Sequence, residues 1–156
     1  MRKTYRVLGY LIAAEVVVQA MAIAYALAGL GYWIEEDGGV LDKQVMESDS
    51  LDFAGIGGFI THGINGTMVI PVLALVFLVV SFFTKLPGAS KRAGALVGLI
   101  VLQVVLGIAS HSLPYAILLH ALNAFLILGL AFTSAHRARP AAAADVPAHS
   151  RVEVTA

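Results

Sequence analysis

The chain has no cysteine among its 156 residues. That excludes disulfides, thiolate metal ligands and thioether attachment of a c-type haem. Charge is also scarce. Only 13% of residues are charged, about half the share of an ordinary soluble domain, which is about 25%. Phosphate-binding loops, nucleophile elbows and metalloprotease helices have no counterpart here. The acidic residues lack the regular spacing of a calcium loop. The few basic residues suit membrane topology and lipid head groups, so no nucleic-acid partner is expected.

What is present is apolar. Hydrophobic residues make up 59% of the chain, and the mean hydropathy is +0.86. They fall into four long blocks, roughly 6–34, 53–83, 93–110 and 114–134. Each is long enough to cross a hydrocarbon core of about 30 Å at 1.5 Å per residue. The first block lacks a short apolar core with a clear cleavage site, so it is read as a retained span. Pro71 is placed to kink the second span and absorb some of its length.

The charge distribution orients these spans. Arg2, Lys3 and Arg6 precede the first; Lys85, Lys91 and Arg92 separate the second and third; Arg137, Arg139 and Arg151 follow the fourth. Lys43 is the lone cation of the loop at 35–52, against the acids Glu35, Glu36, Asp37, Asp42, Glu47, Asp49 and Asp52. The positive-inside rule therefore puts both termini in the cytoplasm and this loop outside. Tyr32 and Trp33 stand where an interfacial aromatic anchor belongs. Gly38-Gly39 marks a turn. The Ala- and Pro-rich segment 137–156, with His149, is expected to be a disordered cytoplasmic tail beyond a transmembrane domain over 1–136.

One short pattern occurs twice, His62-Gly63-Ile64-Asn65-Gly66 and His120-Ala121-Leu122-Asn123-Ala124. Imidazole and carboxamide groups are costly in hydrocarbon and usually mark function there. A second echo precedes each copy. Gln19 stands 43 residues before His62, and Gln103 stands 17 before His120. The longer spacing reflects the acidic loop and longer helix ends. Two hairpins repeated in parallel imply a pseudo-two-fold axis along the membrane normal. His62 and His120 then sit at one depth to within roughly 5 Å, in the outer leaflet.

Two equivalent histidines on facing helices suit axial ligation of one haem iron. Gly58 and Gly66 flank His62 at spacing four, and Ala121 and Ala124 flank His120, leaving room for a porphyrin. Asn65 and Asn123 lie on nearly the same faces and can bond a propionate, a main-chain carbonyl or each other. His111, at the outer end of the third span, is a further haem-contact candidate or a solvated interfacial histidine. Glu15 shares a face with Gln19 and reads as a proton relay, a quinone or haem contact, or a hydrogen-bonded helix contact. The competing reading of the whole pattern is that His, Asn and Gly hold helices together without a cofactor.

The stretch Leu102-Gln103-Val104-Val105-Leu106-Gly107, followed by Pro114 and Leu119-His120-Ala121, resembles the haem A synthase family. Those proteins have two four-helix halves, each with a histidine on its second and fourth helices and a Leu-Gln-x-x-Leu-Gly pattern on its third. The chain resembles one such half over roughly residues 55–132. It is similar also to small four-helix membrane proteins of high-GC actinobacteria. The resemblance implies that His62 and His120 ligate haem. It also makes Glu35 and Glu36 weak catalytic candidates, although the Gly-rich outer motif of that family is missing around them. A half-size chain can dimerise, and Gly94 and Gly98 would permit close packing.

The expected fold is thus an all-α, integral membrane four-helix bundle of two related hairpins. The expected function is b-type haem binding in the bacterial plasma membrane. It would serve electron transfer, with a quinol or an external partner, or oxidative haem chemistry. The alternative is a cofactor-free accessory or scaffold subunit of a larger membrane complex.

Overall fold

A computed structural model describes residues 1–46, 48 and 51–139. Glu47 and Asp49 of the acidic loop and the tail from residue 140 on, with His149 and Arg151, lie outside the described residues. The described chain is helical and carries no strand. The helices are α1 (Arg2–Glu35), α2 (Lys43–Met46), α3 (Ile56–Ile64), α4 (Ile70–Ser81), α5 (Ala89–Ala109) and α6 (Ala116–Arg137). A π-helical turn over Asn65–Val69 joins α3 to α4 into one continuous rod. Four of these units are long and apolar enough to cross a membrane.

The helices outrun the apolar blocks at the charged ends. α1 starts at Arg2 rather than near residue 6, and α5 at Ala89 rather than near 93. Hydropathy marks the lipid-facing part of a helix, whereas main-chain hydrogen bonding continues into the head-group region. Gly88, at φ 70°, sets the true start of α5, because left-handed backbone ends a turn that few other residues can make. The acidic loop contains the short α2, opened by Asp42, whose Oδ1 accepts from the Val45 N–H at 2.8 Å. Gly38 is the expected turn residue, at φ 70°.

Pro71 acts through the π turn. Proline has no N–H and crowds the preceding turn. The helix answers by widening one turn ahead of it, so that Ile70 N–H bonds the Asn65 carbonyl, five residues back. The irregularity begins three residues after His62.

The helices pack unevenly along their length. α1 packs on α3, α4 and α6, and α5 packs on α4 and α6. The N-terminus of α1, the α4–α5 turn and the C-terminus of α6 share one end of the bundle, where Arg2 Nε bonds the Thr84 carbonyl and Arg139 Nε bonds Tyr10 Oη. At that end the core is continuous: Tyr5 and Ile12 of α1, Ala74 and Phe77 of α4, Ala93 and Leu96 of α5, and Ile127 and Ala131 of α6. Tyr5 stacks on Phe77 with centroids 4.2 Å apart. Gly9 lets α1 and α6 touch, since a Cβ there would stand 2.9 Å from Ala135 Cβ.

The other half is built as two close pairs. α3 lies so near α1 that a Cβ on Gly58 would overlap the Ala22 carbonyl, and one on Gly29 the Ala54 carbonyl. The far half of α5 lies against α6 through Gly107 and His120. Beyond the level of Gln19 and Gln103 the only buried hydrophobic residues described are Ala26 and Phe53. Phe53 belongs to a terminal aromatic group with Trp33 and Phe59.

A candidate two-histidine site between the helix pairs

His62 projects from α3 and His120 from α6. Their ring centroids are 6.1 Å apart and their planes are inclined at 48°. Each ring is steered by the glutamine of the helix it packs on. His62 Nδ1 lies 3.2 Å from the Gln19 main-chain oxygen, and His120 Nδ1 lies 3.0 Å from that of Gln103. Neither Nε2 has a hydrogen-bond partner among the described residues. Facing only a carbonyl oxygen, His120 Nδ1 carries the proton, which leaves its Nε2 a lone pair. Carbonyl-held Nδ1–H with free Nε2 is the arrangement that orients a metal-binding histidine.

The carboxamides extend the correspondence. Asn123 Nδ2 donates to the Leu99 carbonyl at 2.8 Å and to Gln103 Oε1 at 2.7 Å. Asn65 Nδ2 donates to Glu15 Oε2 at 2.9 Å. With its oxygen turned toward α3, the Gln19 carboxamide accepts from Asn65 Nδ2 at 3.0 Å and from Gly66 N–H at 3.1 Å, and donates to the His62 carbonyl at 3.1 Å. In that orientation the same carboxamide nitrogen donates to His62 Nδ1 at 2.8 Å, which His62 accepts only in the tautomer with its proton on Nε2, so the two orientations of Gln19 select different His62 tautomers. All the polar contacts of the imidazole thus fall on Nδ1. The two sets differ at one place: Glu15 stands four residues before Gln19, and Leu99 four before Gln103. Asn65 therefore meets a carboxylate where Asn123 meets a main-chain oxygen. Asn123 Oδ1 is buried without a donor.

The small residues have separate tasks. Gly58 is buried, and its lack of a side chain serves the approach of α3 to α1. Gly66 faces the Gln19 side chain, 3.3 Å from where its Cβ would stand. Ala124 is partly buried one turn past His120. Gly107, which sequence reasoning did not single out as a site residue, makes room for the imidazole: its Cβ would lie 3.2 Å from His120 Cε1. Its signal was present, because it follows Gln103 by one helical turn.

Other expected site residues are not brought to the histidines. Glu35 and Glu36 are exposed at the far end of α1. A helix rising 1.5 Å per residue carries Glu35 about 24 Å beyond Gln19. His111 is exposed in the α5–α6 turn, about 12 Å along α5 from Gln103. The two asparagines bond protein groups and not each other. Glu15 reaches the His62 side of the site through Asn65 and Gln19, without a bond to either histidine.

Among the described residues no three His, Asp or Glu side chains converge as a metal-ion cage. The site therefore offers two imidazoles and no more. No protein-family model, curated protein or solved structure matches the chain in comparisons with known proteins.

Proposed function

We propose that the protein binds a b-type haem between His62 and His120 and works as a redox protein of the bacterial plasma membrane. The observation that carries this reading is the pair of imidazoles 6.1 Å apart with both Nδ1 atoms held and both Nε2 atoms free. Metal–nitrogen bonds of about 2 Å on opposite sides of one ion put two ring centres roughly 6 Å apart. A bare ion needs about four protein ligands, which the described residues do not supply, whereas porphyrin provides four nitrogens and asks the protein for two. Haem supplies one-electron chemistry when bound. The protein's part is to fix both rings through Gln19 and Gln103 and to exclude water. The kinship with one half of a haem A synthase is part of the same proposal, with the two hairpins related by a pseudo-two-fold axis. Glu35 and Glu36 lie too far from the histidines to support a catalytic role at them, so electron transfer is favoured over haem modification. A quinol, an external donor or a second copy of the chain are the partners this reading admits, with both termini cytoplasmic.

One observation favours a second reading. Asn123 bonds Gln103 and the Leu99 carbonyl, and Asn65 bonds Glu15, across helices with no added group. A scaffold subunit would use them only to fix helix register.

Visible spectra of the detergent-purified protein, oxidised and dithionite-reduced, separate the two. Low-spin haem in the wild type, lost or converted to high spin in His62→Ala and in His120→Ala, is the expected result. A folded protein that stays colourless after haem addition overturns it and leaves the scaffold.

A further inference from the structure

A basic cleft lies at the opposite end from the histidine pair. Arg2, Lys3 and Arg6 of α1 and Arg139 beyond α6 line a cleft of about 350 Å³, floored by Ala138. None of the four forms an ion pair with a described acidic residue. The first turn of α1 holds no acid, so its cations sit at the positive end of a helix dipole, where an anion is favoured instead. Two sources of repulsion thus converge on one concavity.

The cleft is built on both walls. Lys3, Arg6 and Tyr10 recur at helical spacing on α1, and Phe132 and His136 share a face at the end of α6, with Arg139 two residues beyond it. Arg139 Nε donates to Tyr10 Oη at 3.1 Å, and its guanidinium carbon lies 5.9 Å from the Tyr10 ring centre. Tyr10 meets Phe132 edge to face at 5.5 Å. Below this charged rim the surface is apolar, with Val7, Leu11 and Phe132 exposed.

We propose that this cleft binds the phosphate head group of an anionic lipid, with the acyl chains running along the α1–α6 seam. The phosphate answers the four cations and the helix dipole, and the exposed apolar residues distinguish a lipid from free phosphate. Each nearby cation strengthens attraction to an anionic membrane surface roughly fivefold. The site is independent of the haem proposal.

The test uses the full-length protein in neutral detergent. Its melting temperature is followed with added phosphatidylglycerol, phosphatidylcholine or inorganic phosphate, and lipid retained through purification is counted by native mass spectrometry. Phosphatidylglycerol should raise the melting temperature and stay bound, phosphatidylcholine should do neither, and 500 mM salt should abolish the difference. The Arg6→Gln/Arg139→Gln variant should bind about 25-fold more weakly. Lys85→Gln/Lys91→Gln, which removes as much charge outside the cleft, should bind as the wild type does. Equal responses to the two lipids, or equal losses in the two variants, overturn the proposal. A response to inorganic phosphate that matches phosphatidylglycerol overturns the lipid assignment. Should Arg6→Gln/Arg139→Gln fail to fold, Lys3→Gln at an exposed position and the salt dependence of the wild type decide between the same outcomes.

Discussion

At the scale of residues, the polar groups in the bundle are unequal, and the inequality predicts their cost of removal. Asn123 is 3% exposed and gives both amide hydrogens to protein oxygens. Asn123→Leu deletes two hydrogen bonds and leaves Gln103 Oε1 without a donor. Hydrogen bonds between membrane helices average about 0.6 and reach about 1.7 kcal/mol each, so the variant should lose about 1–3 kcal/mol in a denaturant titration. Glu15→Leu should cost about 1 kcal/mol or less, because Asn65 still meets the Gln19 carboxamide and Leu is what the second hairpin carries at Leu99. A larger loss for Glu15→Leu than for Asn123→Leu would show that the carboxylate does more than receive Asn65. The histidines and asparagines were legible in the sequence because such groups are conspicuous in apolar surroundings. Their partners were less so. Nothing in composition says that the main-chain oxygens of Gln19 and Gln103 receive the imidazoles, since a main-chain acceptor leaves no residue-specific trace.

At the scale of elements, glycine position separates packing from propensity. Gly57 and Gly58 are adjacent on α3, yet a Cβ on Gly57 meets nothing within 4 Å, while one on Gly58 overlaps the Ala22 carbonyl. Gly57→Ala should stabilise by at most about 0.5 kcal/mol, less than the usual gain of alanine in a helix interior because Gly57 is the second residue of α3. Gly58→Ala should destabilise by about 1–3 kcal/mol, because main chain cannot step aside as a flexible side chain can. Thermal unfolding of the two variants side by side checks the pair, and equal behaviour would mean that α3 and α1 are less closely packed than described. The four spans could be read from hydropathy alone, and their ends could not, since hydrogen bonding outlasts the apolar stretch. The sequence placed a disturbance at Pro71, but its form depended on hydrogen-bond geometry. Widening one turn to a π turn keeps α3 and α4 continuous.

At the scale of the whole molecule, cohesion is divided along the bundle axis. The half that holds the termini is closed by Tyr5, Ile12, Phe77, Leu96, Ile127 and their neighbours. The half that holds His62 and His120 is two helix pairs facing each other, with little buried apolar area between them. Segments with few buried apolar contacts open at lower free energy than a continuous core. A ligand that binds only the folded state stabilises what it touches, by about 2.7 kcal/mol at a hundredfold excess over its dissociation constant. Hydrogen exchange with and without haem should therefore divide the molecule. Amides of residues 56–69, 101–109 and 116–124 should exchange readily in the haem-free protein and slow by about a hundredfold on haem addition. Amides of residues 5–13, 70–77, 89–100 and 127–137 should be protected in both states. The spectrum reports whether haem binds, and exchange reports where. Protection that rises evenly along all four spans would mean that haem stabilises the bundle without occupying the space between the pairs. Protection confined to the histidine half would tie the open end of the fold to the group that completes it.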